Sequence, residues 1–478
     1  MRRLTWTIAI FFVLTVAAGL ASACSMPSVP APGAPTAAPG VATTTAPTSV
    51  PQPTRAPTPA PIVVPATTLP DSACANTPGG DVAHYAVGLL APLSQAQVWP
   101  RAIGLQAGAS IALEELNGAG GLLGKPLRLI SLDTQGDPNL ASTLAEQLIV
   151  EECVFGLIGG IGAETASIAA VSERHGVPFL VAETPDDSLT ADQPATLFRI
   201  GPATTQTEEM TPRWLREVGD YNGDGSVMAV LVTESSAAGD MAVEQAVRQM
   251  PAYGIALETL RADLPMEDFS PVIARIVAMD QAPDAILIYV AGDPGLLLLQ
   301  QLLDAGIGPA KGTLLVTGRA ALDSARFWQL APSGELTVVQ RRGPWYASLN
   351  KIGLAFLDKY RLLSNQWPEW PGFAGYDSLY LLAVAATQAT TTQPDALLAA
   401  LEMTDVTLAA GRYAFPFGQT NPPDGDAEPA FWWHQWLDPQ VLMLQYQTAQ
   451  QDASTLDCLL YTSPSPRDRT RSRMPSSA

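Results

Sequence analysis

Histidine is scarce in this chain, with His84, His175 and His434 the three found among 478 residues. No HExxH, GxSxG or P-loop run accompanies them, so the common zinc-hydrolase, serine-hydrolase and phosphate-transfer signatures are missing. Each histidine reads as surface or core filler, and neither an enzyme, a metal site nor a cofactor is expected. Basic residues are few as well: Lys plus Arg number 26 against 46 Asp plus Glu, for a net charge of −20. A surface that acidic disfavours nucleic acid and anionic membrane faces. Cysteine is limited to four residues, Cys24, Cys74, Cys153 and Cys458.

What is present begins with Arg2-Arg3, an apolar run from Ile8 to Leu20, and Ala21-Ser22-Ala23-Cys24. A basic start, a short apolar stretch and small residues at the cut describe a secretory signal peptide. The run is too short for a membrane-spanning helix, which needs about 20 apolar residues. Cys24 directly after the small residues resembles a bacterial lipobox, with Ala21 where that motif usually carries Leu. This implies an acylated Cys24 at the mature N-terminus and a lipid anchor on the extracytoplasmic face of the membrane. An ordinary A-x-A cleavage site is the alternative. From Ser25 to about Ser72 the chain holds 13 prolines among Thr, Ala, Val and Ser. Such a composition forms no core and favours extended polyproline conformations, as a tether would. From Cys458 the sequence turns basic and patternless, with four arginines. It resembles translated sequencing-adapter read-through and is expected to be foreign to the native chain; a disordered basic tail is the alternative.

Between these ends the pattern alternates strand and helix. Short apolar runs at His84–Leu90, Leu127–Leu132, Val154–Ile158 and Pro178–Val181 alternate with helical spacing at Arg101–Leu116, Asn139–Val150 and Thr165–Arg174. The rhythm repeats with strands at Val227–Val232, Ala256–Leu260, Ala285–Val290 and Thr313–Val316. Helices at Met241–Met250, Pro271–Met279 and Pro294–Asp304 lie between them. Alternating βα units predict parallel sheets covered on both faces, here as an α/β pair of doubly wound lobes. Ligands in such sheets bind at the carboxyl ends of strands. Cys74 and Cys153 are a candidate disulfide in an oxidising compartment, the alternative being two unpaired thiols. Gly118-Ala119-Gly120-Gly121-Leu122-Leu123-Gly124 nearly spells a dinucleotide fingerprint but ends a helix instead of opening one, so it reads as a helix cap and turn. Asp220-Tyr221-Asn222-Gly223-Asp224-Gly225 matches half a calcium loop; its twelfth position would be Leu231, and it reads as an exposed turn.

Several stretches then fall into a known order. These are Val87-Gly88-Leu89-Leu90-Ala91-Pro92-Leu93-Ser94, the Glu115-x-Asn117-x-x-Gly120-Gly121-x-x-Gly124 turn and Asp133-Thr134-Gln135-Gly136-Asp137-Pro138. Gly156-Leu157-Ile158-Gly159-Gly160, Gly176-Val177-Pro178 and Gly375-Tyr376-Asp377-Ser378-Leu379-Tyr380-Leu381-Leu382 follow. Over residues 82–447 the chain resembles the type I periplasmic binding proteins of the leucine/isoleucine/valine branch. The resemblance implies two Rossmann-like lobes joined by a multi-strand hinge, which close on a small solute and deliver it to the permease of an ABC importer. A ligand sensor of the same fold without a transporter is the alternative. The expected layout is signal peptide 1–23, lipidated Cys24 and linker 24–72, lobe one 73–201, lobe two 202–341, a return to lobe one over 342–411, a return to lobe two over 412–457, and the foreign tail 458–478. Crossovers are expected near Gly201-Pro202, Arg342-Gly343-Pro344 and Gly411-Arg412.

Carried over from the family, first-lobe contacts fall on Leu93, Ser94, Gly162, Ala163, Glu164, Thr165, Glu183 and Thr184. Hydroxyls and amides at a helix N-terminus suit a carboxylate, and Thr165 is the leading candidate; a plain helix cap is compatible with that role. In the second lobe, Glu234 and Ser235 follow a strand, with no aromatic near Ala238 where the family usually has one. Arg319 stands where an amino-acid binder often presents an acid. Arg319 is expected to contact a ligand carboxylate, with a surface ion pair as the alternative. Glu164 or Glu183 would supply the negative charge for a ligand ammonium instead; if they do not, Arg319 points to an acidic or neutral ligand. Whether Trp99, Tyr346 or Tyr376 enters the cleft is open.

Overall fold

The computed structural model describes residues 83–95, 99–424, 428–436 and 439–461. The signal peptide, Cys24, the Pro-rich linker and Cys74 lie outside the described residues. The first lobe begins with β1 (Tyr85–Ala91), α1 (Trp99–Gly118), β2 (Leu127–Asp133), α2 (Pro138–Val150), β3 (Leu157–Gly159), α3 (Thr165–His175), β4 (Phe179–Val181) and β5 (Leu197–Arg199). The second continues with α4 (Thr204–Glu208), α5 (Met210–Val218), β6 (Met228–Glu234), α6 (Ala237–Gln249), β7 (Ala256–Ala262), α7 (Ser270–Val277), β8 (Ala285–Tyr289), α8 (Asp293–Asp304), β9 (Leu314–Thr317), α9 (Ser324–Leu330) and β10 (Val338–Arg342). The chain then adds α10 (Lys351–Ser364), α11 (Trp370–Ala389), α12 (Pro394–Glu402), the pair β11 (Asp405–Thr407) and β12 (Arg412–Ala414), and finally β13 (Val441–Gln445) and β14 (Asp457–Tyr461).

Among the described residues two large sheets form, in the orders β2-β1-β3-β4-β5 and β14-β13-β10-β9-β8-β6-β7, beside the two-stranded β11-β12 pair. The first is parallel throughout; the second is parallel from β7 to β10 and ends in the antiparallel β13 and β14. Helices cover both faces, which is why strands such as β1 are apolar along their length instead of alternating. One face of the first sheet packs on α1, α10, α11 and α12, the other on α2 and α3. In the second lobe α5 and α6 take one face and α7, α8 and α9 the other. Two doubly wound lobes are therefore what the alternating pattern builds.

The family-like motifs turn out to hold the first lobe together. Glu115 on α1 accepts the phenol hydroxyls of Tyr376 and Tyr380 on α11, each at 2.7 Å, and the ammonium of Lys359 on α10 at 2.7 Å. Asn117 clamps the amide and carbonyl of Leu127 at the start of β2. Gly120, Gly121 and Gly124 all take positive φ, so the glycine run is the helix cap and turn it reads as. A Cβ on Gly108 would stand 1.9 Å from the Gly372 carbonyl oxygen, and one on Gly375 2.0 Å from that of Leu105. α1 and α11 therefore cross with their backbones nearly touching. Asp377, fully buried, accepts from the amides of Ala409 and Ala410 and from the Tyr413 hydroxyl.

Three expectations shift. Val154–Gly156 lead into β3 instead of forming part of it. The third crossover lies well after Gly411-Arg412: Tyr413, Phe415 and Trp436 all sit in the first-lobe core, and Gln435 bridges to Arg199 of β5. Residues 412–424 and 428–436 thus stay with lobe one, and the chain is again in lobe two at β13. The hairpin of β11 with β12 and the anchoring of Asp377 hold them there. Finally, β14 pairs with β13 from Gln445↔Asp457 to Leu442↔Tyr461, so the boundary drawn at residue 458 falls inside a strand. Cys153 is disulfide-bonded, and its proposed partner Cys74 lies outside the described residues.

Candidate functional site

Both sheets present their carboxyl ends to the crossovers, and the candidate residues collect there. In the first lobe β1 runs into Pro92, the partly covered Leu93 and the exposed Ser94, whose amide donates to Asp133 at the end of β2 (3.3 Å). β3 ends at Gly159, where a Cβ would meet the Leu90 carbonyl oxygen at 2.2 Å, and turns through Gly160 and Gly162 at φ +84 and +90. α3 then starts at Thr165, as its spacing predicts, and stops at Gly176 with φ 69.

That turn is closed upon itself. The Thr184 hydroxyl after β4 accepts from the Gly162 amide (2.8 Å), donates to the Gly160 carbonyl (2.9 Å) and lies 2.7 Å from the Thr165 hydroxyl. Thr165, only 1% exposed, also reaches the Gly162 carbonyl at 2.8 Å. The hydroxyls expected to receive a ligand carboxylate are thus occupied in tying β3 to β4. Gly162 and Ala163 alone of this turn face solvent. Glu164 is fully buried behind it and accepts from the Thr134 hydroxyl, while its Oε1 has no partner. Burial, with Asp133 nearby, pushes its carboxyl up to about 7.

In the second lobe Glu234 ends β6 and accepts from the Ala291 amide (3.2 Å) and the Ser236 hydroxyl (3.0 Å), joining the ends of β6 and β8. Exposed Ser235 donates to Asp263 at 2.5 Å. Arg319 opens a short 3-10 turn directly after β9, on the same carboxyl edge. Tyr376 is buried under α1 and bonded to Glu115, so it belongs to the core, and Tyr346 packs edge-on against Trp367. The Asp220–Ser226 loop is an exposed turn whose carboxylates accept from the amides of Gly223, Asp224, Gly225 and Ser226.

Glu183 behaves differently. Its Oε1 accepts from Arg101 at 2.7 Å, but its Oε2 is buried without a partner. Burial raises its carboxyl, against the pull of Arg101 and Arg342. Arg342, the last residue of β10, is exposed and stands beside Gly343 at φ 86, where the chain crosses between lobes. Across from it Glu208 of α4 accepts from Arg248 (3.1 Å) and Gln249 (2.9 Å), and leaves Oε1 buried and unpartnered. Burial, with Arg248 opposing and Asp187 adding, pushes Glu208 up to about 7. Glu183 is among the residues expected in the site; its neighbours Arg101, Arg342 and Glu208 are not. One signal was available: Arg101 sits in the first turn of α1, where the helix dipole favours acids.

The sequence model of the family described as periplasmic binding protein matches residues 85–436. No curated protein sequence matches the chain. Among solved structures, an ABC transporter substrate-binding protein from Sphaerobacter thermophilus is 21% identical with a TM-score of 0.62, covering 78% of this chain and 96% of its own. The branched-chain amino acid transporter substrate-binding protein LivJ from Streptococcus pneumoniae, in complex with isoleucine, is 20% identical with a TM-score of 0.58, covering 78% and 98%. A solute-binding protein of an ABC transporter from Rhodopseudomonas palustris, in complex with 3,4-dihydroxybenzoic acid, is 18% identical with a TM-score of 0.58, covering 76% and 93%. At these identities the likeness is one of fold.

Proposed function

Because the chain belongs to the periplasmic binding protein family, whose members bind and do not turn over their solutes, we propose that it captures a small polar solute between its lobes. The solute is an amino acid or a related carboxylate, and the closed form hands it to the permease of an ABC importer. The structures it resembles include complexes with isoleucine and with 3,4-dihydroxybenzoic acid; both ligands are small acids that also carry hydrogen-bond donors. Acylation of Cys24 would hold the protein at the outer face of the cytoplasmic membrane, with the Pro-rich stretch as tether.

The observation that carries this reading is the convergence of two sheet edges on unsatisfied polar groups. Buried carboxylate oxygens without partners, such as Glu183 Oε2 and Glu208 Oε1, are disfavoured by roughly 1–3 kcal/mol each in an empty protein. A solute that supplies a donor relieves that strain only when both lobes enclose it, so its differential contacts favour the closed form. A thermal-shift screen of the full chain against amino acids, dicarboxylates, amides and aromatic acids tests the reading. A bound solute at 100 times its Kd should add about 2.7 kcal/mol, and a flat response across the panel contradicts it.

A further inference from the structure

Along β10 the residues Val338, Gln340 and Arg342 share one face of the sheet, since side chains alternate with period two. Gln340 on that row donates to the Thr207 carbonyl (3.3 Å) and the Thr211 hydroxyl (3.2 Å), and Thr211 lies 3.4 Å from the Tyr289 hydroxyl at the end of β8. The row therefore runs toward Arg342 under the cleft, with α4 and α5 on its second-lobe side. Arg342 is within electrostatic reach of Glu183 and Arg101 from lobe one and of Tyr289 and Glu208 from lobe two. Yet among the described residues no hydrogen bond or ion pair holds its guanidinium; the residue keeps an exposed surface, while burial around the charged group lowers its pKa.

The neighbours are arranged to keep the guanidinium unheld. Glu183 already answers Arg101 at 2.7 Å, and its side chain is only 11% exposed, with Oε2 turned into protein and unpartnered. Glu208 already answers Arg248 and Gln249. The base of the cleft thus offers a planar five-donor cation needing an acceptor, within electrostatic reach of a carboxylate whose buried Oε2 needs a donor.

We infer that Arg342 is the anion-binding residue of the cleft, in place of Arg319, and that Glu183 takes a hydrogen of the same solute. The chemical class that satisfies both is a small carboxylate bearing an adjacent donor, such as an α-amino acid or a phenolic acid. A neutral sugar leaves Arg342 unmet, and a polyamine is repelled by it. The inference rests on the solute-binding reading above and narrows it.

The test is isothermal titration calorimetry on the full chain with a panel of amino acids and phenolic acids that includes isoleucine and 3,4-dihydroxybenzoate. Their carboxamides, glucose and spermidine complete it. Arg342→Gln should weaken the bound acid on the order of ten- to a hundred-fold, as loss of a charged hydrogen bond does. It should also bring acid and carboxamide to nearly equal affinity, while Arg342→Lys recovers part of the difference and Arg319→Gln changes little. Arg342 is exposed, so an unchanged melting temperature shows that these variants remain folded. Unchanged acid affinity in Arg342→Gln overturns the inference and leaves the solute-binding reading standing. Wild-type binding confined to glucose or spermidine overturns the inference together with the amino-acid or carboxylate assignment, and leaves only capture of a small polar solute. Silence from the whole panel overturns that reading and the inference with it.

Discussion

The turn after β3 is tied by threonine hydroxyls and glycine amides and carbonyls, while the base of the cleft is lined by charged Glu and Arg side chains. The two end in opposite states. In the turn, Thr165, Thr184, Gly160 and Gly162 consume one another's donors and acceptors. At the cleft base, Glu183 and Glu208 each keep one buried oxygen unpartnered, and Arg342 has no bonded partner among the described residues. Satisfied polar groups buried in a lobe report on folding; unsatisfied ones converging between lobes report on what is still to be bound.

The comparison can be sharpened, beginning with the largest expected effect. Glu164 sits behind the turn with its carboxyl raised to about 7. A carboxyl whose folded pKa lies above its unfolded value binds an extra proton when folded, so its stabilisation is present at low pH and lost as pH rises between about 4.5 and 7. Glu164→Gln should flatten that part of the stability–pH profile by ~3 kcal/mol, read from urea melts at pH 4 and pH 8. Asp377 and Glu208, also near 7, shape the same window in the wild type and remain in the variant.

Thr184→Val comes next. It removes the acceptor of the Gly162 amide and the donor to the Gly160 carbonyl, leaving Thr165 its bond to the Gly162 carbonyl, and should lower stability by about 1–3 kcal/mol, measured as a shift in urea midpoint. Solute affinity should fall far less than in Arg342→Gln; a larger loss of affinity than of stability would move the binding site to the turn.

Glu183→Gln should change stability least of the three, by less than about 1 kcal/mol, since the amide oxygen can still accept from Arg101, which is partly exposed and screened by solvent. Calorimetry should nonetheless show weaker solute binding at unchanged fold. A large stability loss with intact affinity would make the Arg101–Glu183 pair a structural brace.

Much of this fold was legible in the sequence, because periodicity and glycine placement are local. β1, α1, β2, α2, α3 and the strands β6 to β9 lie where their patterns put them, within a few residues. The hinge was legible only in part. Gly201-Pro202 follows β5 and Arg342-Gly343-Pro344 follows β10, while Gly411 lies in the turn of the β11–β12 hairpin, whose place in lobe one depends on Trp436 and Asp377 distant along the chain. β14 was hidden by an abrupt change of composition at residue 458. In the site, Glu183 was read from its place after β4. Arg342 was seen as a hinge residue and not as a ligand residue, since an unbonded guanidinium is a property of its three-dimensional neighbours. Thr165 was correctly placed at the start of α3, but its engagement by Thr184 depends on the spacing between β3 and β4, which no local pattern encodes.

The most direct test of the contrast between the two regions is a crystal structure of the full chain with whichever acid raises its melting temperature. The account predicts the solute carboxylate against the Arg342 guanidinium, with a donor of the same molecule on Glu183 Oε2 and the Thr165–Thr184 turn unchanged. A carboxylate seated on the amides of Gly162 and Ala163, with Arg342 bare, would contradict it.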